Sequence, residues 1–354
     1  MLVQVALMIF VLLLFVGLAV DVGNVYGERR HMQNAADAGA LAGAREICFG
    51  DPAPANVVGQ AERYAKDENG AQDAEVEIID GYKVRVVAMV AAETYFIRLI
   101  PGLETVDVSA DATAACGDAV SACGFFPIAF DLTTWGDIDC NGDNQFLVWD
   151  DDTVTEDLAT ICDTSVITDT FGGEISANIG PGQRGWVTLS APGGLVDIPE
   201  ECGNVSNCGA DALTCWLEHD YPGEIDIGWC VPGKPGVVQT ALVSAGSRVG
   251  GDKDTVRILI WSETPCTDDI KAPGCEPGGA ERWYYIDRFG CVKIEQYEKQ
   301  FTLPPLEGHK QNECPKQAKV IRVTKLCDCP NSNCGSGSKT PIPEGGIGAV
   351  SLIE

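Results

Sequence analysis

The chain has 354 residues, 24 of them Lys or Arg and 52 Asp or Glu, for a formal net charge of −28. That balance argues against nucleic acid and anionic lipid as partners, because both demand a positive face. The length leaves room for one long helix and two modest domains.

From Met1 to Val20 the only side chain that is neither apolar nor glycine is Gln4. A helix over such a run rises about 30 Å, the thickness of a bilayer's hydrocarbon core. Charges appear from Asp21 onward (Glu28, Arg29, Arg30), and the helix is expected to continue through Gln33–Ala44, a stretch of mostly small residues, to Arg45. Ala35, Gly39 and Gly43 fall on one line of that helix and Ala36, Ala40 and Ala44 on the next, a surface that lets another backbone approach closely. Asp21 closes the apolar run, and a carboxylate buried in a helix bundle is costly unless paired. Arg29 or Arg30 of a neighbouring chain is the expected partner, reached by an axial stagger of about 12 Å. Asp21, Arg29, Arg30, Ala35, Gly39 and Gly43 are therefore read as assembly residues.

The strings Gly17-Leu18-Ala19-Val20-Asp21-Val22-Gly23, Tyr26, Arg30 and Gln33-Asn34-Ala35-Ala36-Asp37-Ala38-Gly39-Ala40-Leu41-Ala42 resemble the N-terminal signature of the Tad (tight adherence) pilus proteins, the TadE/TadG-like pseudopilins. The resemblance is concentrated in residues 1–45 and echoes more weakly to about Cys116. It implies residence in the inner membrane, export by a type IV pilus-like machinery and assembly into an extracellular helical homopolymer through the N-terminal helix. Two features depart from type IV pilins: Val5 stands where Glu is usual, and no Lys or Arg precedes the apolar run, which reads either as a chain in processed form, the favoured expectation, or as a truncated one whose Met1 is the initiator.

Cys48-Phe49-Gly50-Asp51-Pro52 stops the helix, and a second helix fits Pro54–Glu68 before Asn69-Gly70. Glu75–Ile79 and Lys83–Val90 flank Asp80-Gly81, a strong hairpin signal. Glu93–Ile100 reads as a short helix and Thr105–Ala115 as a returning strand. From Gly117 short β-forming runs recur (Gln145–Trp149, Gly185–Leu189, Thr255–Trp261, Trp283–Ile286, Lys319–Thr324) among Gly, Pro, Asp and Cys, suggesting a sandwich or irregular barrel with one helical turn at Asp211–Glu218. The tail Pro330–Gly348 reads as an extended arm. The fold class is α+β: a hydrophobic assembly helix over 1–47, a small α+β unit over 48–116, and a disulfide-rich all-β domain over 117–354.

All 16 cysteines follow the apolar run. Beyond a membrane segment, that distribution implies extracytoplasmic disulfides. Connectivity is not readable, with Cys116/Cys123 and Cys266/Cys275 as natural local pairs. No Cys-x-x-Cys-His occurs, so haem is not indicated. Asp137, Asp139, Asn141 and Asp143 alternate around Gly142 as in the first half of an EF-hand loop, pointing to calcium. Position twelve is Val148, so another carboxylate must come from Asp150–Asp152; the alternative is an Asx-rich surface turn.

Enzyme signatures are poor, and a non-enzymatic role is expected. His31, His219 and His309 are scattered; Gly335–Thr340 lacks the Gly before Lys339 that a phosphate loop needs; Asp163-Thr164-Ser165 is followed by Ile167 where a metal-dependent adhesion motif has Ser. Two readings follow: a structural filament subunit displaying its β domain for adhesion, or a membrane-anchored binding module or minor pseudopilin at the filament base or tip.

Overall fold

The computed structural model describes residues 2–139, 145–154, 157–172, 175, 177–180, 184–189, 202, 210–233, 243–271, 282–332, 334–343 and 345–353. The chain divides into two compact units, one of Met1–Gly117 with Gly337–Pro341 and Val350–Glu354, the other of Asp118–Ser336 with Ile342–Ala349.

The first unit is built on helix α1 (Leu2–Phe49), continuous across the change from apolar to polar residues. Helix α2 (Pro54–Arg63) begins on a proline, whose missing N–H costs nothing there, and closes in a π-helical turn over Tyr64–Glu68. Gly70, at φ 72°, turns the chain out of it. Strands β1 (Asp73–Ile79), β2 (Lys83–Glu93) and β3 (Thr105–Asp118) are antiparallel neighbours. Asp80 and Gly81 both take positive φ, 56° and 79°, as a primed hairpin turn requires. Alternate residues Val84, Val86 and Ala88 of β2 and Val108, Ala110, Ala112 and Ala114 of β3 point inward. They meet Met32, Ala35, Ala36, Ala40 and Ala44 of α1 and Val57, Ala61 and Ala65 of α2 in one buried cluster. β2 runs to Glu93, so the helix expected over Glu93–Ile100 reduces to a 3₁₀ turn at Ile97–Leu99.

The second unit holds a small β4 (Ser121–Ala122) paired with β9 (Ile225–Asp226), and one mixed sheet. The sheet runs in the order β7 (Ala177–Ile179), β6 (Gln145–Trp149), β13 (Ala318–Lys325), β12 (Trp283–Phe301), β11 (Thr255–Ser262), β5 (Phe125–Asp131), β8 (Arg184–Trp186), with β10 (Cys230–Pro232) also on β12. Short helices α3 (Leu132–Asp137), α4 (Leu158–Ile161) and α5 (Ser165–Phe171) accompany it, with α6 (Ala210–His219) at the expected helical site. Apart from the β4–β9 pair, the described strands of this unit form this one large sheet rather than the expected sandwich or barrel. β6 shows why. Phe146 and Val148 enter one buried cluster with Phe130, Trp186 and Ile260, while Leu147 and Trp149 enter another with Leu158, Ile167, Phe171 and Phe301. Both faces are covered, one of them by α4, α5 and loops, which accounts for unbroken apolar runs instead of alternation.

The tail is not a free arm. Ser332, Ile347 and Ala349 are buried, and β14 (Gly348–Leu352) becomes the fourth strand of the first unit's sheet beyond β3, with Ile353 N–H donating to Thr113 O at 2.9 Å.

The described residues include six disulfides: Cys48–Cys116, Cys123–Cys334, Cys162–Cys314, Cys202–Cys215, Cys230–Cys266 and Cys291–Cys329. The local pairs Cys116/Cys123 and Cys266/Cys275 do not form, because Cys116 closes onto the end of α1 and Cys266 onto β10.

Candidate functional site

Gly17, Asp21 and Asn24 fall on one face of α1 at helical spacing. Together they seat the connection between β2 and β3. Asp21 is 1% exposed. Its Oδ1 accepts the Tyr95 N–H at 2.7 Å and its Oδ2 accepts Phe96 N–H at 3.0 Å and Ile97 N–H at 2.7 Å. These amides lead into the 3₁₀ turn, where donors have no partner within the turn itself. One turn back, Gly17 makes room for the Phe96 ring, since a Cβ there would stand 2.7 Å from Phe96 Cγ. One turn on, Asn24 Nδ2 donates to Glu93 O at 2.9 Å.

Within the chain, Asp21 is thus satisfied by backbone amides rather than by an arginine side chain. Arg29 and Arg30 are exposed, and Arg30 lies over the Tyr26 ring at 5.0 Å. Burial alone pushes the Asp21 carboxyl up, and the three amide donors together bring it below the ordinary aspartate value.

The close approach offered by the small-residue face is made within the chain. Ala35 is buried; a Cβ on Gly39 would meet Ala61 O at 2.9 Å and one on Gly43 would meet Val84 Cγ1 at 2.8 Å. Gly39 and Gly43 thus fit α1 against α2 and β2.

The apolar half of α1 is the reverse case. Leu7 to Val16 are all exposed, with Phe10 at 60% and Phe15 at 67%. Among the described residues α1 alone is long and apolar enough to cross a membrane.

Of the acidic loop, Asp137 ends α3 and Asp139 follows it, while Asn141 and Asp143 lie outside the described residues. Two of the carboxylates expected to complete a calcium shell are engaged elsewhere. Asp150 accepts Lys319 N–H at 2.6 Å, and Asp151 accepts Thr153 N–H at 2.8 Å. No group of three His, Cys, Asp or Glu side chains among the described residues is arranged to hold a metal.

Sequence reasoning singled out Asp21 but missed Gly17 as a seat and residues 95–97 as the partner. The four-residue interval Gly17 to Asp21 was the available signal.

Residues 4–46 match the family model described as putative Flp pilus-assembly TadE/G-like. The match contains Gly17, Asp21 and Asn24 and stops short of the connection they hold. No curated protein and no solved structure matches the chain.

Proposed function

We propose, from the TadE/G-like character of residues 4–46, that the chain is a structural subunit of a Tad-type pilus. Before assembly it is anchored in the inner membrane by the apolar half of α1; afterwards that half packs among its copies in the filament, and the second unit is displayed outside for adhesion. The observation that carries this reading is the exposed apolar run itself, Leu7–Val16, which no other part of the chain covers among the described residues. Such a surface needs lipid or other apolar helices around it. Disulfides on the residues that follow fit an extracytoplasmic setting.

A second reading gains from the packing of Gly39 and Gly43. The small-residue face had argued for helix-to-helix assembly over a plain anchor, and it is filled by α2 and β2. A membrane-anchored minor pseudopilin at the filament base or tip has the same exposed run and needs no repeating contact.

Shearing filaments from cells and quantifying this chain in the filament and membrane fractions by mass spectrometry tests both. Abundance along the filament supports the subunit. Retention in the membrane with trace amounts in filaments supports the minor component, and absence from filaments of cells that make them overturns the first reading.

A further inference from the structure

The connection between β2 and β3 runs from Thr94 to Glu104, longer than the two to five residues that join most hairpins. Its sequence, Thr-Tyr-Phe-Ile-Arg-Leu-Ile-Pro-Gly-Leu-Glu, is mostly apolar, yet Tyr95, Phe96, Leu99, Ile100 and Leu103 are exposed, Leu99 at 84%. The connection is nevertheless ordered. Thr94 Oγ1 donates to Leu103 O at 2.6 Å, Thr94 N–H donates to Glu104 O at 3.1 Å, and Asp21 holds the turn at its centre.

Its height along α1 is fixed as well. Phe96 lies against Gly17, four residues and so about 6 Å on the apolar side of Asp21, where the membrane-length run ends. An apolar, aromatic-bearing protrusion is thereby held level with the last turn of a bilayer-crossing helix. That is the depth at which aromatic and apolar side chains meet the boundary between headgroups and acyl chains.

We infer that Tyr95–Leu103 is a membrane-seated collar: in the anchored protein it enters the outer face of the bilayer beside α1 and fixes how far the helix stands out of the lipid. The occupant is the lipid surface rather than a specific headgroup. The loop carries one cation, Arg98, between Glu93 and Glu104, so apolar area and not charge drives its entry. The inference rests on the membrane-anchored stage of the proposed function.

The test is photo-cross-linking of the full chain in phosphatidylcholine vesicles, with p-benzoylphenylalanine placed singly at Leu13, Leu99 or Tyr64. Leu13 is exposed within the apolar run; Tyr64 is an exposed residue just after α2, the helix that packs on Gly39 far along α1 from Asp21. Lipid adducts at 13 and 99 but not at 64 are expected. Adducts at 13 with none at 99 overturn the collar and leave the anchor standing. A chain-to-chain adduct at 99 without lipid overturns it in favour of a contact between copies, and loss of lipid adducts at 13 overturns the anchor and the collar together.

Discussion

Asp21 Oδ2 and the Ile97 N–H meet at 2.7 Å across 76 positions of sequence, so the acid that ends the apolar run also fixes the connection that follows β2. In Asp21→Asn the amide group presents a donor toward backbone donors and leaves at least one of them unpaired. The expected result is faster hydrogen exchange at Tyr95–Ile97 with little change in β5 or β11. Unchanged exchange at those three amides would show the clamp to be dispensable.

The clamp also sets a pH dependence. The folded Asp21 carboxyl lies below its ordinary value, and the unfolded one titrates near about 3.9. A depressed acid contributes stability that is complete above the unfolded value and lost as pH falls through the folded one. Protection of residues 95–97 should persist at mildly acidic pH and fail only in stronger acid. Exchange mass spectrometry, corrected for the intrinsic pH dependence of amides, reads this directly, and loss of protection above the ordinary aspartate range contradicts it.

The apolar run, the helix across it, the Asp80-Gly81 hairpin and strands such as Gln145–Trp149 were legible because local composition decides them. That Asp21 needed a partner was legible too. Which partner was not, since backbone amides satisfy a carboxylate without leaving a side-chain signature. The small-residue line through Gly39 announces close approach but carries no mark of whether the neighbour is another chain or a later segment of the same one. Paired cysteines were legible by number, whereas Cys123 finding Cys334 depends on the whole path of the chain. The cover on the second face of β6 comes from short helices whose periodicity is too brief to read.

Gly39→Leu and Gly43→Leu test the intramolecular assignment. Overpacking a fitted contact costs about 1–3 kcal/mol, and more where backbone must move; at Gly39 the obstacle is the Ala61 carbonyl itself. Both variants should lower the unfolding temperature of the first unit. All 7 tryptophans lie from Trp135 onward, so tryptophan emission follows the second unit alone while circular dichroism also sees α1 and α2. If both variants keep the parent's helical transition and lose only filaments, the face serves assembly.

The disulfide Cys48–Cys116 joins the end of α1 to the end of β3 and closes 68 positions of chain. Loss of a native bridge typically costs roughly 2–5 kcal/mol, largely through the freedom returned to the unfolded chain. The core this bridge braces is poor in large side chains: Ala35, Ala36, Ala40, Ala44, Ala61, Ala65, Ala88, Ala110, Ala112 and Ala114 fill it. Alanine buries little apolar area, so the first unit has less hydrophobic stabilisation to fall back on than the second, where Phe125, Phe130, Phe146 and Trp216 are fully buried. Replacing both cysteines by serine should therefore melt α2 and the β1–β3 sheet well below the parent's transition, while tryptophan emission changes at the parent's temperature. Coincident transitions in the two signals, both shifted by the double replacement, would mean instead that the units unfold as one cooperative body.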